Sequence, residues 1–341
     1  MTDGPILVTG AGGYIASWVV RRLLERGEAV RGTVRRPDQG EALRNALVHH
    51  GVDARNLSIT VADLADPGVW PSAVAGCGGV VHLASPFPIA QPRGRESLVS
   101  QAREGTLRVV DAAVESGIRR IVVTSSMVAM AYRAGRSSDH VVREGDWTDP
   151  GWNRLSAYIV SKTRAELALW NYARDRGVEQ RLSVVNPGFV LGPGLLGRVG
   201  TSLDVIRLLL AGAYPALPKI AFAVVDVRDL ADIHVRALVD GAARGRRLLA
   251  AGSTMTMQEI GRTLREALPE HSDRVPTRLL PDGLIRFLSL FDRRMRTILP
   301  DLGVSTRADS DYVTELTGVR FRDPAESVVD AARFLLDSGL A

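Results

Sequence analysis

The chain has 341 residues, 45% hydrophobic and 24% charged, a globular composition with room for one large domain or two closely joined ones. The formal net charge is +5, but the basic residues are spread among 38 acidic ones without a basic run interleaved with aromatics, which argues against a nucleic-acid partner. No apolar run could span a membrane, no secretory signal is visible, and the single cysteine cannot form an intrachain disulfide, so we expect a cytoplasmic protein without a membrane partner.

Short apolar strands alternate with helices through the first half of the chain. The predicted strands are Ile6–Thr9, Ala29–Val34, Leu57–Val61, Gly79–Ala84, Arg120–Thr124 and Leu182–Asn186. The predicted helices are Tyr14–Arg26, Leu98–Ser116 and Leu155–Asp175. Buried strands joined by helices form parallel sheets that are covered on both faces. The sequence therefore predicts an α/β fold built on a doubly wound parallel sheet.

Glycine and proline become dense after Pro187, and the regular alternation stops there. We expect a smaller, substrate-binding lobe over the carboxyl edge of the sheet. The predicted main domain comprises residues 1–187 and 221–244, because the segment Val224–Ala237 is expected to return to it. The smaller lobe is predicted to comprise residues 188–220 and 245–341.

A glycine-rich segment, TGAGGYIA at residues 9–16, joins the first strand to the first helix. Gly10 permits the tight turn, Gly13 lets the backbone approach a pyrophosphate, and Ala16 lets helix and strand pack closely. The amides of the helix N-terminus can then bind phosphate. Glycines are common in loops, so the position between a strand and a helix is what indicates a dinucleotide site. The residues predicted to bind the cofactor here are Gly10, Gly12, Gly13, Tyr14 and Ile15.

The second predicted strand ends in Val34-Arg35-Arg36-Pro37. Enzymes that use NAD place an acidic residue here to accept hydrogen bonds from the ribose, and residues 33–36 include none. A guanidinium pairs instead with the 2′-phosphate of NADP through charge-assisted hydrogen bonds. The sequence therefore favours NADP, bound by Arg35, although both arginines could be ordinary surface residues in so arginine-rich a chain.

Tyr158 and Lys162 stand four residues apart in a predicted helix, so their side chains share one face. A phenol has a pKa near 10, and a nearby ammonium stabilises the phenolate and lowers that pKa. Only Lys162 and Lys219 are lysines among 43 basic residues, and arginine cannot pass on a proton as lysine can. We predict that Tyr158 donates a proton to the substrate and that Lys162 tunes Tyr158 and holds the nicotinamide ribose.

Ser126 follows the fifth predicted strand, at the carboxyl edge where ligands bind in such sheets. A serine at this place can hydrogen-bond a substrate carbonyl, although by itself it could equally cap the strand end. In combination with Tyr158, Lys162 and the glycine loop, Ser126 is predicted to be catalytic. The six histidines show no ligand spacing, so no metal site is expected.

Together these motifs resemble the extended (atypical) short-chain dehydrogenase/reductases, in the branch of plant dihydroflavonol reductases and microbial aldehyde and carbonyl reductases. The resemblance covers nearly the whole chain and includes HLAS at 82–85, TSS at 124–126 and NPGFVLGP at 186–193. It implies a Rossmann-type sheet, NADPH as cofactor, and reduction of a ketone or aldehyde by Ser126, Tyr158 and Lys162. The further cofactor contacts that it implies are Asp63, Leu64, Leu83, Ala84, Ser85, Thr124, Lys162, Pro187, Gly188, Phe189, Val190 and Ser202.

Two departures from the family concern the substrate. Flavonoid reductases carry an asparagine at the position of Ala131 and a glutamine at that of Ala223, so the pocket is expected to be less polar here. Such a pocket suits a hydrophobic or aryl ketone, aldehyde or β-keto ester. The predicted substrate contacts are Phe87, Met127, Ala131, Tyr158 and Phe189, with Pro86, Met130, Tyr132 and Trp152 as further candidates. Each of these residues could instead belong to the core.

Other functions stay open at this point. The same residues could serve an alcohol or steroid-type dehydrogenase that works in the oxidative direction. A nucleotide-sugar epimerase would want polar pockets for a sugar diphosphate, which the apolar stretch after Ser126 does not indicate. A non-catalytic NADP sensor on the same fold would be expected to lose the tyrosine or the lysine, and this chain keeps both. We expect the partner to be a small-molecule carbonyl substrate. We also expect the protein to be a monomer or a homodimer.

Overall fold

The computed structural model describes residues 4–85, 94, 96–197 and 200–341, and its centre is a sheet of seven parallel strands. The order β10-β7-β5-β4-β1-β2-β3 reverses direction between β1 and β4, as in doubly wound sheets. The predicted α/β class is confirmed. The strands of this sheet are β1 (Ile6–Thr9), β2 (Val30–Val34), β3 (Leu57–Val61), β4 (Gly79–His82), β5 (Ile121–Thr124), β7 (Leu182–Pro187) and β10 (Arg247–Ala250).

Helices cover both faces of the sheet because neighbouring residues of each strand point to opposite sides. In β1, Ile6 and Val8 belong to one apolar cluster, whereas Leu7 belongs to the other. The first face is covered by α1 (Tyr14–Glu25), α2 (Pro37–His49) and α7 (Val227–Val239). The second face is covered by α3 (Trp70–Val74), α4 (Val99–Glu115) and α5 (Ala157–Asp175).

Two smaller sheets lie beyond the main one. One is formed by β8 (Phe189–Leu191), β9 (Ala221–Asp226) and β11 (Thr254–Thr256), and the other by β6 (Asp139–Val142) and β12 (Ser305–Ala308). The remaining helices are α6 (Thr201–Leu210), α8 (Met257–Ala267), α9 (Asp282–Leu288), α10 (Arg293–Ile298), α11 (Asp311–Thr317) and α12 (Pro324–Asp337). Helices α6, α8 and α12 share a third apolar cluster, built around Leu203, Ile260 and Val328.

The strands cross the predicted domain boundaries in two places. Strand β10 lies past the predicted boundary at residue 244, yet it pairs with β7 in the main sheet. Strand β9 lies in the segment predicted to return to the main domain, yet it pairs with β8 and β11. Only α7, which follows β9, packs against α1 under the main sheet. The division into two domains stays a prediction.

Helix α2 was not among the predicted elements. It begins at Pro37, directly after the Arg35-Arg36 pair, with proline in the first helical position and Asp38 in the first turn. Both features favour a helix start, because that proline would leave its amide unpaired anyway and the acid complements the helix dipole. The segment Val34–Pro37, from which NADP binding was inferred, thus already contained the proline that indicates the start of this helix.

None of the described helices is long and apolar enough to cross a membrane. Within the same described residues, no three His, Cys, Asp or Glu side chains come together in a way that could hold a metal ion.

The turn from β7 into β8 depends on Gly188. A β-carbon at this position would lie 2.2 Å from the Ala223 carbonyl oxygen and 2.9 Å from the β-carbon of Ala251. The Gly188 amide also donates to the Ala250 carbonyl oxygen at 3.0 Å. The turn is thus pressed against β9 and the end of β10, and only glycine fits there.

We expect Gly188→Ala to lower the free energy of unfolding by about 1–3 kcal/mol, because the added methyl group must push two packed backbones apart. Urea unfolding followed by circular dichroism measures this. The matched control is Gly283→Ala in α9, where an added β-carbon meets nothing within 4 Å. That variant should unfold at an equal or higher urea concentration, and equal losses in both variants would contradict the packing argument.

Candidate active site

A cavity of about 670 Å³ runs along the carboxyl edge of the main sheet. It begins at the glycine loop and reaches Tyr158, so the two halves of the predicted site share one space. The predicted residues that line it are Gly10, Gly13, Tyr14, Ile15, Leu83, Thr124, Ser126, Met127, Ala131, Tyr158, Lys162, Pro187, Gly188, Phe189, Val190 and Ser202. The predicted residues Ala84 and Ser85 line a small adjoining cavity that also touches Lys162.

Helix α5 places Tyr158 and Lys162 at the cavity. The Ser156 hydroxyl accepts a hydrogen bond from the Ile159 amide at 3.4 Å and starts the helix, so both side chains lie in its first turns. The Tyr158 hydroxyl forms a hydrogen bond with the Ser126 hydroxyl, which works to lower the pKa of Tyr158. The Lys162 ammonium donates to Ser85 Oγ at 3.2 Å. Ser126, Tyr158 and Lys162 therefore meet in one place.

The electrostatics of this group differ from the expected pattern. Burial raises the pKa of Tyr158 above 10.0, and the hydrogen bond with Ser126 only partly opposes this effect. Lys162 does not offset the effect of burial on the pKa of Tyr158. The expectation that the tyrosine pKa is lowered is therefore corrected for the protein without cofactor. Burial also lowers the pKa of Lys162 to about 8, against the attraction of the nearby Glu166 carboxylate. Lys162 can therefore exchange a proton near neutral pH.

Glu166 lies one further turn along the same face of α5 and joins this helix to the strands that carry the site. Its carboxylate accepts hydrogen bonds from Ser125 Oγ at 2.5 Å, Asn186 Nδ2 at 2.7 Å and Arg247 Nε at 2.6 Å. The Asn186 amide also donates to the Ser126 carbonyl oxygen at 3.2 Å. The side chain of Glu166 is 1% exposed and that of Arg247 8%, so this ion pair is buried. It fixes the strand end that carries Ser126.

The glycine loop has the features that a dinucleotide requires. Gly10 has φ +64°, and a β-carbon there would lie 3.1 Å from the α-carbon of Ala84. A β-carbon at Gly13 would lie 3.1 Å from the Gly10 carbonyl oxygen, so the loop can pass close to a ligand only without side chains. Helix α1 has neither a side-chain cap nor an acidic residue in its first turn. Its free amides therefore suit a pyrophosphate, and the cavity fits the predicted cofactor.

Thr9 joins this loop to the end of β4. Its hydroxyl oxygen accepts hydrogen bonds from the amides of Leu83 and Ala84, each at 3.0 Å, and lies 2.8 Å from His82 Nδ1. The segment that the family resemblance places beneath the cofactor is thus held by a side chain of β1. Thr9 is the first residue of the glycine-rich segment TGAGGYIA, but the sequence alone did not predict a role for its side chain.

The predicted residues for the adenosine half lie outside the cavity, at the ends of β2 and β3. Arg35 is exposed, and its amide donates to Gln39 Oε1 at 3.1 Å. The neighbouring Arg36 pairs with Asp38 through two bonds of 3.0 Å. Asp63 and Leu64 follow β3, and Gly12 also lies off the cavity wall. Arg36 is therefore occupied by a partner, whereas no ion pair of the described residues involves Arg35.

Several of the predicted substrate residues line the cavity, whereas the further candidates Met130 and Trp152 do not and belong to apolar clusters. Met127, Ala131 and Phe189 line the cavity, whereas Phe87, like Pro86, lies outside the described residues. The candidate Tyr132 also lines the cavity, and with Thr297, Asp301 and Thr306, which were not predicted, it forms a polar part of the wall. The pocket therefore has a polar part in addition to the apolar part that the sequence predicts.

Of the missed residues Glu166 and Asp301, only the first has a signal in the sequence. Glu166 continues the spacing of Tyr158 and Lys162 by another four residues, which places all three on one helix face. Asp301 gives no such signal, because it reaches the cavity through a tertiary contact with Tyr132, 169 positions earlier in the chain.

Known proteins resemble this chain in both sequence and structure. Residues 6–248 match the model of the NAD dependent epimerase/dehydratase family. A cinnamoyl-CoA reductase of Medicago truncatula is 37% identical over 268 residues, which cover 77% of this chain and 81% of that protein. The crystal structure of yeast methylglyoxal/isovaleraldehyde reductase Gre2 complexed with NADPH has a TM-score of 0.81 at 24% identity and covers 99% of this chain and 100% of that one. Gre2 of Candida albicans in complex with NADPH has a TM-score of 0.80 at 26% identity, covering 98% and 99%.

The chain belongs to the NAD dependent epimerase/dehydratase family, as the matched residues and the reductase relatives show. This family is the extended short-chain dehydrogenase/reductase group that the motifs resemble, so that prediction is confirmed.

We expect Lys162 to titrate with a midpoint of about 8 in the protein without cofactor, because burial disfavours its ammonium form. Lysine-selective ¹³C NMR measures this directly, since the chain has only two lysines. The matched variant Lys219→Arg leaves a single lysine signal and assigns it. A midpoint near 10.5 would contradict the burial of Lys162.

Glu166→Gln should move that midpoint below its wild-type value, because the carboxylate raises the pKa of Lys162. The same variant should lose about 3–5 kcal/mol of unfolding free energy, because Arg247 then stays buried without its counter-charge. A midpoint that rises, or a stability equal to that of the wild type, would exclude this role for Glu166.

Proposed function

We propose that this member of the family reduces a hydrophobic or aryl ketone or aldehyde to the alcohol, with Tyr158 as the proton donor. The broader assignment is that of an NADPH-dependent oxidoreductase that acts on carbonyl groups, as are its reductase relatives. The observation that carries the finer proposal is the meeting of Ser126, Tyr158 and Lys162 in the cavity that begins at the glycine loop.

Ser126 and Tyr158 have different roles in the proposed reaction. When bound, reduced nicotinamide supplies the hydride that adds to the carbonyl carbon. The Ser126 hydroxyl can donate a hydrogen bond to the carbonyl oxygen and fix its position. Tyr158 then gives its proton to that oxygen as negative charge develops there. Because burial raises the pKa of Tyr158, the phenol carries its proton at neutral pH and is ready to act as an acid.

Lys162 completes the proton supply. Its ammonium lies on the same helix face as Tyr158, one turn further on, and its pKa of about 8 allows it to lose and regain a proton near neutral pH. Arginine could not do this at any accessible pH. The bond from Lys162 to Ser85 holds the ammonium at the junction of the two cavities. The shared helix face, the shared cavity and the lowered pKa of Lys162 support a lysine that replenishes the tyrosine.

The wall around Tyr158 supports an apolar substrate body. Met127 and Ala131 are 7% and 4% exposed and have no polar side-chain atoms. Phe189 and Phe222 stack with their ring centres 4.4 Å apart and also line the cavity. Such surfaces favour aryl or alkyl groups over sugars, which require a polar partner for each hydroxyl.

Two of the alternative functions, the oxidative dehydrogenase and the NADP sensor, find less support. An oxidative dehydrogenase would start from a deprotonated phenol, whereas burial raises the pKa of Tyr158 in the protein without cofactor. A non-catalytic NADP sensor would not need the tyrosine, the lysine and the serine in one cavity. The reductive reaction therefore suits the described side chains best.

We expect Tyr158→Phe to lower kcat by about 10²–10⁴-fold, since the substrate oxygen then lacks its acid. The assay follows NADPH oxidation with aryl ketones, β-keto esters, aldehydes and a dihydroflavonol. NADPH binding, measured by fluorescence titration, should stay near the wild-type value. The matched control is Tyr172→Phe on the same helix, whose hydroxyl donates to Asp111 at 2.7 Å, and its turnover should be unchanged. A wild-type protein that binds NADPH and turns over none of these compounds would favour the sensor.

We also expect Arg35→Ala to weaken NADPH binding by about tenfold or more, because a charge-assisted bond to the 2′-phosphate is lost. NADH binding should hardly change, since NADH has no such phosphate. Arg36→Ala is the control, because Asp38 already pairs with that guanidinium. If the two arginine variants lose NADPH affinity equally, the assignment of the phosphate to Arg35 is wrong.

A further inference from the structure

One part of the cavity wall is polar, and the reaction described above does not use it. Tyr132 and Asp301 line the same cavity as Tyr158. The Tyr132 hydroxyl donates to Asp301 Oδ2 at 3.1 Å. Tyr132 packs with Tyr158 against one apolar cluster that contains Leu155 and Ile159. A substrate whose carbonyl reaches Tyr158 therefore occupies the cavity that this carboxylate lines.

Arg136 holds Asp301 in place from the protein side. Its guanidinium donates to Asp301 Oδ1 at 2.7 Å and to the carbonyl oxygens of Pro300 and Ala131 at 2.6 and 3.1 Å. It also stacks on the Tyr132 ring, with 4.4 Å between the guanidinium carbon and the ring centre. The side chain of Arg136 is only 3% exposed, whereas that of Asp301 keeps 29%. Asp301 is thus fixed on one side and open on the cavity side.

The carboxylate has room for another hydrogen bond. An ionised carboxylate offers about four acceptor positions, and the described side chains that donate to Asp301 are Arg136 and Tyr132. Burial raises the pKa of Asp301 although Arg136 opposes this, so a further donor would stabilise the charged form. A ligand that presents an O–H group to Asp301 Oδ2 supplies that donor.

The charge balance limits what kind of ligand fits. Arg136 and Asp301 neutralise each other, so the cluster carries no excess charge for an ionic group. A carboxylate or phosphate on the ligand would face the Asp301 carboxylate at close range. A cation would leave two positive charges beside one negative charge in a buried place. A neutral hydroxyl group donates without disturbing this balance.

We propose that Asp301, held by Arg136 and Tyr132, accepts a hydrogen bond from a hydroxyl group of the substrate. The substrate is then a neutral, largely apolar carbonyl compound that carries an alcohol or phenol. This inference rests on the proposed function, because it concerns the same cavity. It also refines the expectation of a less polar pocket: Ala131 and Ala223 remove two polar groups, and Tyr132 and Asp301 supply others.

The wild-type protein provides the first test. Matched probes are acetophenones and cinnamaldehydes with a hydroxyl at the 2, 3 or 4 position, their methyl ethers, and the unsubstituted parents. Binding of each to the NADP⁺-loaded protein is measured by calorimetry, and kcat/KM is measured with NADPH. At least one hydroxyl compound should surpass both its methyl ether and its parent by about tenfold, the size expected for a hydrogen bond to a charged acceptor. Equal values across every set would overturn the proposal.

Asp301→Asn should abolish that preference, because a neutral amide accepts the bond more weakly. Asp309→Asn is the matched control: Asp309 is an exposed carboxylate that pairs with Arg143 and does not line the cavity. Its ratio of kcat/KM between hydroxylated and parent compounds should equal that of the wild type. A preference that survives in a folded Asp301→Asn protein would refute the role of the carboxylate.

Tyr132→Phe covers the case in which Asp301→Asn does not fold. It keeps the Arg136–Asp301 pair and removes only the internal donor, so the hydroxyl preference should persist or increase. Loss of the preference in this variant would show that the tyrosine hydroxyl, and not the carboxylate, recognises the ligand. Failure of the proposed function is a separate result: the protein would then reduce none of the probes, while calorimetry would still report whether Asp301 binds the hydroxyl group.

Discussion

The buried ion pair of Glu166 and Arg247 is the contact on which the geometry of the site depends. Two charges can be kept away from water only if hydrogen bonds satisfy them. Glu166 meets this condition through Ser125, Asn186 and Arg247, and Arg247 also donates to the carbonyl oxygens of Glu144 and Asp146. Helix α5, strands β7 and β10 and the segment that directly follows β5 are thereby held in one arrangement at the carboxyl edge of the sheet. This arrangement fixes the relative positions of Tyr158 and Lys162 on α5 and of Ser126 after β5.

The chain separates two uses of positive charge. Arginine holds carboxylates in fixed pairs, as Arg247 holds Glu166 and Arg136 holds Asp301. A guanidinium suits this task because it is planar and does not lose its proton. Lysine occupies the one place in the described site where loss of a proton is useful, at Lys162. The arginine-rich composition and the lysine beside Tyr158 thus have the same physical explanation.

Much of the fold followed from the sequence because its elements are local. The strand Leu57–Val61 has the predicted ends, and α4 differs from its prediction by one residue at each end. The pairing of β6 with β12 could not be predicted, since it joins Asp139 to Ser305 through the tertiary fold. The site divides in the same way. Tyr158 and Lys162 follow from helical spacing, whereas the contacts of Arg247 with Glu166 and of Asp301 with Tyr132 exist only after distant segments have packed. The raised pKa of Tyr158 is likewise a consequence of burial, which spacing alone does not reveal.

The most direct test of the account follows an isotope from cofactor to product. The protein is incubated with NADPH that carries deuterium at the C4 position of the nicotinamide, as each of the two epimers, and with an apolar aryl aldehyde or ketone. The alcohol is then analysed by mass spectrometry and NMR. We expect deuterium on the carbinol carbon from one epimer only, since a single cavity fixes the substrate against Tyr158. An alcohol without deuterium from either epimer, or with equal amounts from both, would contradict a site that Ser126, Tyr158 and Lys162 build for carbonyl reduction.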